Sequence, residues 1–248
     1  MLKNKVAIIT GGSRGLGRAI AQKFAKNGAS LLLTALHEEG LFKAKKEIEE
    51  MGCKVEVLCG DIADPATSKA IIEKTLNLFG TINILVNCAG TITRTLVSDL
   101  ELLEWHRVIN VNLNGTFYLS QAVLPKMCEE QSGKIINITS QMARLPHPSA
   151  SPSYEVSKAG MAALTRHLAY HYAKYNICVN SIAPGSIDTD LPKSMSTEAR
   201  QKIKEAIPLK RLGEPEEVGE LALFLASNKS NYITGATLNI SGGSLMDY

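Results

Sequence analysis

Along the chain, short runs of β-branched and aliphatic residues alternate with longer stretches in which apolar residues return every three or four positions. Near-continuous apolar runs read as strands buried on both faces, and the 3.6-residue period reads as amphipathic helix. The pattern predicts strands over 6–10, 31–35, 55–58, 82–86, 135–139, 178–182 and 237–240. Between them it predicts helices over 18–26, 41–51, 67–78, 100–128 (one long helix or two), 154–172 and 216–225. Strands separated throughout by helices pair in parallel, and right-handed crossovers then wind the sheet in two directions. The expectation is an α/β fold with a Rossmann-like, doubly wound sheet of about seven parallel strands and helices on both faces. The segment 184–209 breaks the alternation and is expected to be a substrate lid.

Composition narrows this picture. A length of 248 residues fits one large α/β domain or two small ones. The seven apolar runs use nearly all of it, so one domain over 1–248 is expected. The 27 basic and 24 acidic residues leave a net charge of +3, too mild and too scattered for a nucleic-acid footprint. No apolar run approaches the roughly 18 residues that a membrane helix needs. Cys53, Cys59, Cys88, Cys128 and Cys178 form no C-x-x-C pair, which reads as reduced, buried thiols. The apolar run starting at Val6 leaves no room for a signal peptide. The expected location is cytoplasmic.

The first apolar run leads directly into Thr10-Gly11-Gly12-Ser13-Arg14-Gly15-Leu16-Gly17, and a helix follows. Strand, glycine turn and helix form the context of a dinucleotide-phosphate site, because glycines let the backbone approach the pyrophosphate and the helix N-terminus offers unpaired N–H groups. The spacing is G-x-x-x-G-x-G. An acid at the end of the second strand would bind a ribose 2′-hydroxyl and repel a 2′-phosphate. Here that position reads Thr34-Ala35-Leu36-His37, without an acid, while Arg14 suits a 2′-phosphate. NADP(H) is therefore favoured, with NAD(H) as the alternative. Glu38 and Glu39, just beyond, speak for the alternative unless they only face the helix dipole.

Tyr154 and Lys158 stand at i and i+4, on one face of the predicted helix. Bringing a phenol of pKa ≈ 10 to neutrality requires about 4 kcal/mol, and one positive charge at ~4 Å supplies about that in an effective dielectric of about 20. The pair is thus a candidate acid/base unit for carbonyl chemistry. Tyr170 and Lys174 repeat the spacing about 24 Å further along the same helix. Ligands of open α/β sheets bind beyond the carboxyl ends of the strands, which favours Tyr154 and leaves Tyr170 as a surface or packing position. His167 and His171 also share a helical face, but Leu168 stands where a zinc-protease motif has glutamate, so no metal site is expected.

Taken together, Thr10-Gly11, Gly15-Leu16-Gly17, Asn87-Cys88-Ala89-Gly90, Asn112-Leu113, Ser140, Tyr154, Lys158 and Pro184-Gly185 with Thr189 resemble the short-chain dehydrogenase/reductase family over nearly the whole chain. The resemblance implies an oxidoreductase that interconverts a ketone and a secondary alcohol by hydride transfer. It implies that Tyr154 exchanges the proton, that Lys158 lowers its pKa and binds the nicotinamide ribose, that Ser140 holds the substrate carbonyl and that Asn112 holds a water linking Lys158 to solvent. It places Asp61 and Ile62 at the adenine. Asn87, Ala89 and Gly90 would steady the sheet and flank the adenine, while Pro184, Gly185, the Ile187 backbone and Thr189 would lie at the carboxamide. The implied assembly is a homotetramer joined through helices containing 113–128 and 159–172. Within the family the chain most resembles 3-oxoacyl-[acyl-carrier-protein] reductases, which implies an acyl-thioester substrate. Glu129-Glu130-Gln131 and Tyr175 stand where that subgroup offers basic residues to an acidic carrier. A sugar, polyol, cyclic-alcohol or steroid dehydrogenase of the same family is the alternative, and a non-catalytic dinucleotide-binding protein is a further one.

Overall fold

The structure, a computed structural model, describes residues 1–147, 150–189 and 196–246. Seven strands, β1 (Val6–Thr10), β2 (Ser30–Ala35), β3 (Val55–Cys59), β4 (Ile84–Asn87), β5 (Gly133–Ile138), β6 (Ile177–Pro184) and β7 (Thr237–Ile240), form one sheet. Their order is β3-β2-β1-β4-β5-β6-β7, and every pairing is parallel. The order reverses between β1 and β4, which opens a crevice at the carboxyl ends of those strands.

The strands are mostly aliphatic because both sheet faces are covered, and polar residues within them, such as Thr34, Asn137, Asn180 and Ser181, are buried as well. Ala7, Ile9, Leu31, Leu33, Ile84, Val86, Ile136 and Ile138 pack on one face against α1 (Gly15–Lys26), α2 (Glu38–Glu49) and α8 (Pro215–Ala226). Their alternating neighbours Ile8, Leu32, Leu85 and Ile135 pack on the other against α3 (Pro65–Phe79), α5 (Gly115–Glu129) and α6 (Pro152–Tyr172). Each such fully buried side chain contributes about 1.5–3 kcal/mol, so the two-sided core holds the sheet without a staple. No disulfide forms: all five cysteines are free. The expectation of buried thiols holds fully only at Cys178: Cys53, Cys88 and Cys128 are partly buried, and Cys59, which ends β3 at the sheet edge, is exposed.

Two departures from the expected elements matter. The stretch 100–128 contains α4 (Leu102–Ile109), a π-helical turn over Asn110–Asn114, and α5. A π turn inserts one residue and rotates the helix beyond it, often at functional sites. The second departure is α7 (Thr197–Ala206), inside the 184–209 segment. It buries no residue, and Ala199, Ile203 and Ala206 give it only a short apolar stripe among charged residues; Ser196 caps it by accepting from Ala199 N at 3.2 Å. Of the expected lid, residues 190–195 lie outside the described residues. No helix among the described residues is long and apolar enough to cross a membrane.

Candidate active site

The glycine turn between β1 and α1 is dictated by close approach. A Cβ on Gly17 would lie 2.2 Å from the Gly11 carbonyl oxygen, and one on Gly11, at φ +67°, would lie 2.9 Å from Ala89 Cα. Only glycine fits either place. Thr10, ending β1, fastens this turn to the end of β4: its Oγ1 accepts from Cys88 N at 3.0 Å and Ala89 N at 2.9 Å. Helix α1 then starts with Arg14 in the cap position, no side-chain cap and no acid in its first turn. Its leading N–H groups lack a side-chain acceptor and face the crevice, which fits a pyrophosphate. Thr189 comes from after β6 to lie over the turn, with its Cγ2 3.7 Å from where a Gly15 Cβ would stand. The residues present therefore suit a dinucleotide.

Beside the turn, the Cβ of Ser13 lies 3.3 Å from where a Cβ on Gly40 would be, so Ser13 and Arg14 stand next to the first turn of α2 with Glu38 and Glu39. Arg14 is exposed and has no ion pair among the described residues. Leu16, at the head of α1, packs against the core. Asp61 is engaged: it accepts from Ala63 N at 3.0 Å and from Arg107 at 2.6 Å. Partial burial pushes its carboxyl up, but the Ala63 N–H and the Arg107 guanidinium outweigh it and hold the pKa below the usual value. Ile62 is buried beside Gly115. Asn87, also buried, donates to Asn137 Oδ1 at 2.8 Å and Ser120 Oγ at 3.2 Å, and Asn137 donates on to Thr165 at 2.8 Å. This buried chain ties β4, β5, α5 and α6 together. Gly185 closes against β7, donating to Ile240 O at 3.0 Å, and Ile187 bridges to Gly213.

Across the crevice stands the head of α6. Ser151 caps it, accepting from Tyr154 N at 3.4 Å, and Pro152 occupies the first turn. Ser140, just past β5, stands beside the Tyr154 hydroxyl and accepts from Met142 N at 3.1 Å. Lys158 is 4% exposed; its Nζ donates to Ile138 O at 2.8 Å and lies 5.8 Å from the Tyr154 ring centre. The π turn rotates Asn112 inward, where it is fully buried. It accepts from Thr91 N at 2.8 Å and donates to Thr91 O at 2.9 Å and Ser157 Oγ at 3.0 Å. Its neighbours Asn110 and Asn114 bond each other instead. A Cβ on Gly90 would lie 3.2 Å from Asn112 Oδ1 and 3.5 Å from Lys158 Nζ, so the loop after β4 passes close to both groups. Tyr170, by contrast, is 84% exposed, as expected of a surface position.

The electrostatics differ from the simple expectation of a lysine-lowered phenol. Burial raises the Tyr154 pKa above 10, only partly offset by Ser140. Burial also drives the Lys158 ammonium down from 10.5 to about 8, although the nearby Cys88 thiol pulls the other way. Cys88 itself is pushed up to about 12 by burial. The lysine is committed to Ile138 O rather than to the phenol, so the chain by itself keeps Tyr154 protonated: it is poised as an acid. Sequence reasoning missed Thr10, Thr91, Ser157 and the Ile138 carbonyl as supports; only Thr10 carried a signal, being a polar strand end directly before the glycine turn.

A lysine whose pKa is lowered on folding costs stability wherever it must be charged in the folded state. Relative to Lys158→Met, the wild type should gain stability as pH rises from about 8 to about 10.5, by on the order of 3 kcal/mol. Denaturant unfolding of both proteins across that range checks this; parallel pH curves would contradict it.

The Glu129–Glu130 pair ends α5, at the amino end of β5. Both bond Lys126, and Glu130 also accepts from Thr81 at 2.7 Å. Within one chain they lie about 20 Å, the length of a six-residue strand, from the end of β5 that carries Ser140. Within one chain they therefore do not line the site at Tyr154.

A family model described as Enoyl-(Acyl carrier protein) reductase matches residues 11–244. The chain is 37% identical over 242 residues to 3-oxoacyl-[acyl-carrier-protein] reductase of Thermotoga maritima, covering 98% of both. It is 36% identical over 244 residues to the reductase of that name in Escherichia coli, again covering 98% of both. Among solved structures it is similar to levodione reductase, with TM-score 0.94 and 31% identity over 98% of both chains. It is also similar to 3-oxoacyl-[acyl-carrier protein] reductase of Brucella melitensis, with TM-score 0.95 and 32% identity over 99% of this chain and 93% of that one.

Proposed function

The chain belongs to the short-chain dehydrogenase/reductase family, and from that premise we propose that it is a nicotinamide-dependent oxidoreductase interconverting a ketone and a secondary alcohol, most like a 3-oxoacyl-[acyl-carrier-protein] reductase. The observation that carries this reading is the convergence of Tyr154, Ser140, the buried Lys158 and the buried Asn112 at the carboxyl ends of the strands, where the glycine turn also lies. A bound nicotinamide dinucleotide supplies the hydride chemistry. The chain does the rest. Ser140 orients the substrate oxygen, Tyr154 gives it a proton in reduction or takes one in oxidation, and the Lys158 charge stabilises the phenolate left behind. Asn112, by holding Thr91 and Ser157, keeps the loop after β4 against α6 and so fixes Tyr154 relative to the crevice.

Gly11, Ser13, Arg14, Gly15, Leu16 and Gly17 cradle the phosphates; Asp61, Ile62, Asn87, Ala89 and Gly90 border the adenine side; Pro184, Gly185, Ile187 and Thr189 border the carboxamide, with Tyr154 and Lys158 at the ribose. NADP(H) is the preferred dinucleotide, supported by the exposed, unpaired Arg14 and the acid-free end of β2. Replacing Arg14 by Ala should lower kcat/KM for NADPH about 10- to 100-fold, the worth of one charged hydrogen bond, and leave that for NADH nearly unchanged. An equal fall with both would remove the 2′-phosphate role. The chain is read as one cytoplasmic domain over 1–248, with 184–209 covering the substrate. It is also read as a homotetramer: Phe117 and Tyr170 are exposed on α5 and α6, where burial against another copy would be favourable. Light scattering tests the last point.

A second reading within the family is a dehydrogenase of a cyclic or polyhydroxylated substrate. The likeness to levodione reductase favours it. Nicotinamide absorbance followed with 3-oxoacyl thioesters and with cyclic ketones separates the two. Preferred turnover of thioesters supports the first reading; turnover of cyclic ketones alone supports the second.

A further inference from the structure

At the opposite end of the sheet from Tyr154 lies a cavity of about 540 Å³, within the ordinary range of ligand pockets. It opens at the amino ends of β1, β4, β5 and β6, a full strand length from the glycine turn. Lys5 precedes β1 and Lys134 sits on β5, and both line it. Strand β4 runs between β1 and β5, so the two lysine backbones stand two strand spacings apart, about 10 Å. By the alternation of side chains, Lys5 shares the face of Ala7 and Ile9, and Lys134 shares that of Ile136 and Ile138; all four apolar residues belong to the same core face. Both lysines therefore project on one side of the sheet, beneath the end of α8.

Among the described residues, no aspartate or glutamate lines the cavity. Neither lysine has a carboxylate partner among the described residues, and the nearest acceptor recorded for Lys134 is Ser230 Oγ at 3.4 Å. Around the rim stand Asn176, Asn228 and Asn231, exposed amides without side-chain hydrogen bonds among the described residues, and the phenol of Tyr232. Two half-buried cations facing one space, with amide donors and no acid to neutralise them, form a field that favours a multiply charged anion. We propose that this cavity is a second binding site, for a small oxyanion-bearing metabolite, separate from the dinucleotide crevice. Amide N–H groups and two ammonium groups would meet its phosphate or carboxylate oxygens.

Inorganic pyrophosphate, titrated calorimetrically into the full chain saturated with NADPH, tests this. One site per chain should remain when the dinucleotide crevice is filled. Replacing both lysines (Lys5→Gln with Lys134→Gln) should weaken it at least tenfold. Asn231→Asp, which puts a negative charge on the exposed rim without touching the core, should weaken it severalfold at an unchanged Tm, and so answers the question even if the lysine variant folds poorly. Arg14→Ala should leave it unaltered. Absence of pyrophosphate binding to the NADPH-saturated protein overturns the proposal, as does unchanged affinity in either folded variant.

Discussion

Tyr154→Phe should lower kcat for ketone reduction by about 10²- to 10⁴-fold, the range for losing a positioned proton donor, while dinucleotide binding persists. Burial raises the phenol's pKa, so it stays protonated at neutral pH, and Ser140 stands beside it. Removing its oxygen leaves the ring, its packing and the Ser151 cap in place, so the loss would fall on the proton transfer. Tyr170→Phe provides the control, since it has the same sequence spacing to a lysine but is 84% exposed, far along α6 from any catalytic partner. Its activity should match wild type in a steady-state assay. Equal losses in both variants, or a loss at Tyr170 alone, would refute the assignment.

Gly17→Ala should abolish dinucleotide binding, with an affinity loss of at least about 100-fold, the cost of roughly 3 kcal/mol. The added methyl carbon would sit 2.2 Å from the Gly11 carbonyl oxygen, a contact that backbone alone must relieve. Gly11 has no room to retreat, because Ala89 lies directly behind it and Thr10 anchors that segment through two hydrogen bonds. The turn would have to open, taking the first N–H groups of α1 out of line. Fluorescence titration with NADPH measures the loss, and the unfolding midpoint shows whether the fold survives. Wild-type affinity in this variant would mean that the turn does not hold the phosphates.

The sheet was legible in the sequence because burial on both faces makes most strand positions aliphatic, and β1 and β7 were read to their ends. Helix α7 was not read: it buries no side chain, and its short Ala199, Ile203, Ala206 stripe is faint among charged residues. The π turn was equally hidden, since one inserted residue does not alter the apolar count of 100–128. Asn112 was therefore separated from Asn110 and Asn114 by family resemblance alone, and the structure supplies the physical difference: Asn112 bonds Thr91 and Ser157, and the other two bond each other. The pairing of Tyr154 with Lys158 followed from helical spacing, but the direction of the phenol's shift did not. Spacing gives proximity along a helix; it does not reveal that Lys158 turns to the Ile138 carbonyl or that burial dominates both groups. In the same way, Glu129 and Glu130 could be read as acidic, but only the topology places them at the far end of β5.

The central claim is hydride transfer to a carbonyl carbon at Tyr154. Incubating the protein with 4-deuterated NADPH and a panel of 3-oxoacyl thioesters and cyclic ketones, then locating the label by mass spectrometry, tests it most directly. The expected product is an alcohol bearing deuterium on its carbinol carbon, formed by wild type and not by Tyr154→Phe. Tight NADPH binding with no deuterated alcohol from any ketone would contradict the claim and leave a dinucleotide-binding protein without this chemistry.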